Sequence, residues 1–266
     1  MLSITPIQQT GAGMSLYERI AIFLSVIAII IPIVQWAWKK WIVKGTVKFY
    51  PTGQATLFFN QSGSYIRLNG VLESERKAST IKRLSLILTR KRDDQKLNLV
   101  WSFLISPVNQ SMLGNYVQTM EAAHPFRVEA DSVSCAFIEY GDPSDSSGKK
   151  IRKICNNLTP LVLQSAQAPT YNEAYATFSQ TSAFVDAKNS ILSDFFWEIG
   201  KYTADITVEY NKKTSKTFSY EFTVSEQDSM ELRNDIEESL MAALKQCYHV
   251  PPAFKAPLVE IYERKA

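Results

Sequence analysis

The sequence predicts a mainly β protein, an antiparallel β-sandwich preceded by one N-terminal transmembrane helix and followed by a C-terminal amphipathic helix. Three observations carry that expectation. Nineteen residues, Ile20 to Trp38, contain no charged side chain. From Gly45 onward apolar residues recur with period two, the repeat of a half-buried strand. Only after Ser225 does a repeat of four take over for long enough to make an amphipathic helix.

The anchor comes first in the chain. Residues 1–19 form a short tail whose first seventeen positions carry no charge. The span that follows is marked by Ile20, Phe23, Ile27, Ile31, Pro32, Trp36 and Trp38. At helical rise it is roughly 28 Å long, close to the thickness of a bilayer's hydrocarbon core. Pro32 is costly in a soluble helix and better tolerated in a membrane. Trp36, Trp38 and Trp41 gather at one end and Tyr17 at the other, as interfacial aromatics do. A cleaved signal peptide and a buried core helix are the alternatives. The first wants a basic start and small residues at its end, whereas here Trp-Ala-Trp-Lys-Lys-Trp follows the run. The second is rarely apolar on every face for five turns.

Charge then suggests orientation. The 266 residues hold 29 basic and 26 acidic side chains, a net charge of +3. Residues 1–44 contain Arg19, Lys39, Lys40 and Lys44 against Glu18, so the whole excess lies there and the remainder is balanced. Lys39, Lys40, Trp41 and Lys44, in a juxtamembrane linker over 39–45, form the expected anchor at the headgroups. By the positive-inside rule they place the large domain in the cytoplasm, on a single-pass signal anchor in the plasma or inner membrane. Cys135, Cys155 and Cys247 are an odd set at wide spacing, which suits a reducing compartment. Asn60, Asn109 and Asn157 head glycosylation tripeptides and point the other way, though such tripeptides are common by chance.

The β domain is expected over 46–224. Thr46–Tyr50, Ala55–Phe59 and Tyr65–Leu72 read as short strands separated by turns at Pro51–Gly53 and Gln61–Gly63. Leu84, Leu86 and Leu88 alternate with Ser85, Ile87 and Thr89. After the charged turn at Arg90–Gln95, Leu97, Leu99, Trp101 and Phe103 alternate again, so the two runs are expected to form a hairpin. Phe126–Ala130 and Val133–Tyr140 supply two more candidates. Tyr202–Tyr210 and Phe218–Val224 alternate strictly about a polar turn and make the clearest hairpin. Many short strands with frequent turns argue for two packed antiparallel sheets.

Trp197-Glu-Ile-Gly200-Lys-Tyr202, opening that hairpin, resembles the Gly-x-Tyr step before a late strand in many immunoglobulin-like domains. The resemblance implies an immunoglobulin-like form of the sandwich and no particular activity. Residues 142–196 break the alternation and are expected to be an insertion in one sandwich; the rival is a boundary near Ser144–Lys150 between two smaller ones. Tyr171, Tyr175 and Phe178 fit one helical face within it. A C-terminal helix is expected over 225–248, opened by the Ser225/Asp228 capping pair and striped by Leu232, Ile236, Leu240 and Leu244. Residues 249–266 form a tail in which Leu258–Tyr262 has the makings of one more strand.

Chemistry-bearing patterns are sparse, and the reading assigns no catalytic residue, metal site or cofactor. His124 and His249 have no metal-ligand spacing to another His or Cys, no phosphate-cradling glycine loop occurs, and no nucleophile elbow is present. The charge concentration from Arg76 to Lys96, with Arg83, Arg90, Lys91 and Arg92 as candidate binding residues, has three readings. It is a solvated hairpin turn, a surface for anionic headgroups, or a site for nucleic acid or an acidic partner. Nucleic acid is not expected, because interleaved exposed aromatics are lacking and the domain is neutral.

The functional expectation is a membrane-anchored, non-enzymatic interaction module, acting as adaptor, sensor or assembly subunit, with the membrane and a protein or a second copy as partners. An extracytoplasmic sandwich binding carbohydrate or protein is the alternative. A membrane-bound hydrolase built on His124 or His249 and acidic residues is the third reading.

Overall fold

The computed structural model describes residues 15–38, 45–112, 115–212 and 214–264. The chain divides into two compact units, residues 1–44 and 45–266. The anchor residues Lys39, Lys40, Trp41 and Lys44 lie outside the described residues.

In the first unit, α1 runs Leu16–Ala37, with Trp38 as its C-cap. Ser15 and Glu18 form a reciprocal capping box, Ser15 Oγ accepting from the Glu18 N–H at 3.3 Å and Glu18 Oε2 from the Ser15 N–H at 2.8 Å. No residue of the helix is buried. Its length and composition suffice to cross a membrane.

The second unit corrects the sandwich expectation. Its strands are β1 (Thr46–Asn60), β2 (Gly63–Glu75), β3 (Ser79–Arg90), β4 (Gln95–Met112), β5 (Asn115–Ala122), β6 (Phe126–Val128), β7 (Ser132–Gly141), β8 (Gly200–Tyr210), β9 (Thr214–Val224) and β10 (Leu258–Glu263). Neighbours run β4-β7-β2-β1-β10-β9-β8-β3, and β3 pairs back onto β4. Eight antiparallel strands therefore close into a barrel, not an open immunoglobulin-like β-sandwich. β5 extends β4 beyond the wall, and β6 joins the edge of β3. The reason alternation misled is physical. Inward–outward alternation is the same in a sandwich and a barrel, and only the pairing of sequence-distant strands distinguishes them.

The pattern along each strand sets the inside. Val47, Leu57, Ile66, Leu68, Leu86, Ile138, Ile206 and Phe222 are all at most 2% exposed and fill the interior, so the barrel is solid. Outward positions carry Arg67, Asn69 and Glu73 on β2, Asp205, Thr207 and Glu209 on β8, and Glu221 and Thr223 on β9. A polar outside over an apolar inside is the reverse of a membrane-spanning barrel.

Pro51–Gly53 is not a turn between two strands. β1 is continuous, and its register against β2 slips between Pro51 and Ala55. Gly53, at φ +87°, and Pro51, which has no N–H to give the ladder, suit a bulge rather than a reversal. Opposite Pro51, Gly70 lets the tip of the Phe49 ring approach β2 closely. A Cβ there would sit 2.6 Å from Phe49 Cζ and 2.8 Å from the Tyr50 carbonyl. Gly70→Ala is accordingly expected to cost about 1–3 kcal/mol, read as a lowered melting temperature.

All the helices of this unit leave from one end of the barrel. α2 (Ser146–Ser165), α3 (Tyr171–Ser179) and α4 (Ser182–Leu192) connect β7 to β8, and α5 (Glu226–Cys247) connects β9 to β10. Leu232, Ile236, Leu240 and Leu244 of α5, all buried, share one apolar core with Ile151, Leu158, Phe178, Phe184 and Ile191 of the other three and with the barrel. The segment Phe195-Phe196-Trp197 ties this cap to the barrel. Trp197 is fully buried, its Nε1 donates to the Phe58 carbonyl at 2.9 Å, and its own carbonyl accepts from Ser229 Oγ of α5 at 2.8 Å. β1 begins at the end away from the cap.

Candidate docking cleft at the barrel seam

β10 is the shortest strand of the barrel wall and meets each neighbour through only three register pairs. β10 pairs with β1 only through Gln54–Thr56 and then follows β9 as far as Glu263 opposite Tyr220. The bulge at Pro51–Ala55 turns the first half of β1 away from it. Among the described residues, no strand pairs with the outer edge of Thr46–Pro51.

A cleft of about 530 Å³ opens there, lined by Lys48, Phe49, Tyr50 and Pro51 of β1, Lys216 to Tyr220 of β9, and Glu263 and Arg264. Its floor is aromatic. The Phe49 ring lies 6.4 Å from Phe218 and 6.2 Å, edge-on, from Tyr220. Tyr220 Oη donates to the Phe49 carbonyl at 3.0 Å, and burial pushes the Tyr220 hydroxyl's pKa up. That bond also orients the edge. In an antiparallel strand the N–H and C=O of one residue point the same way and alternate residues alternate, so Val47 and Phe49 direct their backbone groups into the cleft.

The rim is mixed in charge, with Glu263 beside Lys48, Lys216 and Arg264. Lys216 Nζ stands 5.1 Å over the Phe218 ring. Arg264 Nε reaches Glu221 at 3.5 Å. Lys48 is engaged by Glu75 at 2.5 Å, which raises the lysine's pKa and, with the Thr46 hydroxyl, lowers the carboxylate's. Tyr50, 48% exposed, donates to Glu73 at 3.0 Å.

The residues singled out from sequence lie elsewhere. Arg90 is buried at the cap end and structural in its contacts. Nη1 donates to the Phe196 carbonyl at 2.9 Å, Nε and Nη2 fork onto Asp93 at 2.9 and 2.6 Å, and Nη2 also reaches Gln95. That fork holds the Asp93 carboxyl down to about 2. Lys91 pairs with Glu221 at 2.7 Å, and Arg92 is exposed in the same turn. Arg83 lies farther along β3, exposed, in register with Glu209, some ~23 Å from the turn at strand rise. The structure thus brings three of the four together and leaves Arg83 apart. His124 and His249 are both exposed, in the β5–β6 connection and after α5 respectively. Among the described residues no group of three or more His, Cys, Asp or Glu side chains is placed to hold a metal ion.

One carboxylate stands out. Asp235 on α5 is fully buried, accepts the Lys255 N–H on both oxygens at 3.0 and 3.1 Å, and is pushed by burial up to about 7. It straps the tail that leads into β10 onto α5. Its folded pKa lies above the unfolded value of about 4, so between about pH 4 and 7 the folded state keeps a proton that the unfolded state has lost. Stability is expected to fall as pH rises through that window and to level off above it. Urea midpoints at pH 5 and pH 8 measure the decline, and Asp235→Asn should remove this share of it.

The cleft was hidden from sequence because its parts come from β1, β9 and the chain's last strand. The interruption of an alternating strand by Pro51 and Gly53 was the one local signal of it.

No protein-family model matches the sequence, and no curated protein matches it. Among solved structures, one match is a family 123 glycoside hydrolase from Clostridium perfringens studied for glycolipid glycan hydrolysis, at a TM-score of 0.29 and 10% identity. The alignment covers 68% of this chain and 27% of that one, so the chain spans less than a third of the hydrolase. A likeness this slight carries no argument about activity.

Proposed function

We propose that the chain is a single-pass membrane-anchored interaction module whose barrel docks a protein partner at the membrane surface through the open seam beside β1. One observation carries the reading: beside a solid apolar interior, the outer edge of Thr46–Pro51 has no partner strand among the described residues and lies over an aromatic floor. A filled interior directs recognition to the outside, and an unpaired edge is a template for another chain. The short linker from α1 to β1 confines that recognition to the bilayer's vicinity. The lysines at 39, 40, 44 and 48 favour the cytoplasmic face of a plasma or inner membrane.

Photo-crosslinking in cells tests it. A benzophenone amino acid at Tyr50, in the cleft, is expected to capture a protein. The same probe at Val185 on α4, 47% exposed, should not. Capture at Val185 alone would contradict the reading.

A further inference from the structure

We infer that the end of the barrel at which β1 begins rests on anionic lipid headgroups of the bilayer that holds α1, through Arg76, Lys82, Arg83 and Lys212. This rests on the membrane-anchored half of the reading above and adds a second, electrostatic contact to it.

Several segments meet at that end. Thr46 faces Glu75 where β1 begins. In the turn after β2 the Arg76 N–H donates to the Asp131 carboxylate at 2.8 Å, and the Asp131 N–H to the Ser74 carbonyl at 2.7 Å. At the β8–β9 turn Asn211 Oδ1 accepts from the Thr80 N–H at 3.2 Å, and the Asn211 N–H donates to the Thr80 carbonyl at 2.9 Å. The linker after Trp38 reaches at most about 25 Å to Gly45. Asn60, at the cap, lies roughly 45 Å farther along β1. The tether therefore holds this end, not the cap, beside the bilayer.

Charge is divided the same way. Residues 46–48, 73–83, 127–132 and 209–216 hold nine basic and five acidic side chains, whereas the rest of 45–266 holds sixteen and twenty. β3 splits the basic run that begins at Arg76. Arg76, Lys82 and Arg83 stay at this end, while the turn after Arg90 carries Lys91 and Arg92 to the cap. Most of the acids here are engaged. Glu75 takes Lys48 at 2.5 Å and the Thr46 hydroxyl at 2.8 Å, Glu73 takes the Tyr50 hydroxyl at 3.0 Å, and Glu129 takes Arg127 at 2.9 Å. Arg76, Lys82, Arg83 and Lys212 are exposed, and among the described residues none has a carboxylate within ion-pair distance.

Separate cations spread around one rim fit a planar array of phosphates rather than a single enclosed anion. Each basic group near an anionic leaflet raises the bound-to-free ratio about fivefold. Screened at physiological salt, such contacts orient a tethered barrel without holding a free one.

The test reconstitutes the full chain into nanodiscs of phosphatidylcholine alone, or of phosphatidylcholine and phosphatidylglycerol in equal parts. A benzophenone amino acid stands at Thr80, exposed on this rim, or at Val185 on the cap. Mass spectrometry is expected to find lipid adducts at Thr80 at least about fivefold more abundant in the anionic discs, and none at Val185 in either. Salt at about 0.5 M should remove the excess. Arg76→Glu, Lys82→Glu and Lys212→Glu together should remove it as well. Arg92→Glu, Lys149→Glu and Lys153→Glu together, the same charge change at the cap end, should leave it intact. The wild-type comparison between the two lipids decides the matter even where a triple variant fails to fold. Equal adducts at Thr80 in both lipids, more adduct at Val185 than at Thr80, or the same loss in two folded triple variants would overturn the inference. Failure of the chain to enter either disc would overturn the anchored reading and this inference with it. Entry with equal adducts would remove this inference alone.

Discussion

Replacing Trp197 with alanine is expected to destabilise the 45–266 unit by about 4–5 kcal/mol, at the upper end for deletion of a buried aromatic side chain. The side chain is fully buried among Phe196, Tyr202 and Phe222, with ring centroids 5.2, 5.9 and 6.4 Å away. Two costs add. The cavity forfeits contacts with three aromatic rings, and the Phe58 carbonyl on β1 loses the indole N–H that bonds it at 2.9 Å. For a unit of this size that corresponds to a melting temperature lower by about 8–20 °C. Trp197→Phe keeps most of the ring and loses the hydrogen bond, so it should cost about 1–2 kcal/mol. Calorimetry of both variants separates packing from the polar anchor. Equal losses would show that the ring contributes little.

The second large effect is expected at Arg90. Arg90→Met preserves an apolar stem but removes every donor in the β3–β4 turn's contact with the cap. It leaves the Phe196 carbonyl buried with one partner, the Tyr202 hydroxyl at 2.9 Å. A loss of about 2–4 kcal/mol is expected, the range for breaking a buried charged hydrogen-bond network. The pH dependence has a definite sign. Asp93 has a depressed folded pKa, so its stabilising share is present above the unfolded value of about 4 and is lost as pH falls toward about 2. The gap between wild type and Arg90→Met in a urea titration should therefore narrow between about pH 4 and pH 2. A gap that stays constant would mean that the Phe196 carbonyl, not Asp93, carries the effect.

Much of the strand content was legible and the architecture was not. Strict alternation exposed the β8–β9 hairpin residue by residue, and the Ser225/Asp228 box marked the start of α5. Closure could not be read in the same way, because it depends on Gln54 meeting Glu260 and Leu84 meeting Val208, pairings between strands far apart in sequence. The immunoglobulin-like expectation leaned on Gly200 and Tyr202, whose local step fits a barrel strand equally well. Tyr202 in fact serves the cap: its hydroxyl lies 2.9 Å from the Phe196 carbonyl and 2.7 Å from that of Glu198.

The candidate site shows the same limit from the other side. Arg90, Lys91 and Arg92 drew attention because charges adjacent in sequence are easy to see. Lys216 and Phe218 were silent because each is an ordinary residue of β9, and Arg264 because it simply follows the end of β10. A charge run reports composition, whereas a cleft reports topology, and only the second brings sequence-distant groups within reach of one ligand.

The central claim, a water-soluble barrel held to a membrane by one helix, is tested most directly on washed membranes bearing a protease site inserted in the linker at residues 39–44. Alkaline carbonate should leave the full chain in the pellet, and cleavage should then release a folded fragment of residues 45–266 into the supernatant. Extraction of the uncut chain by carbonate, or retention of the cut barrel in the pellet, would contradict the account.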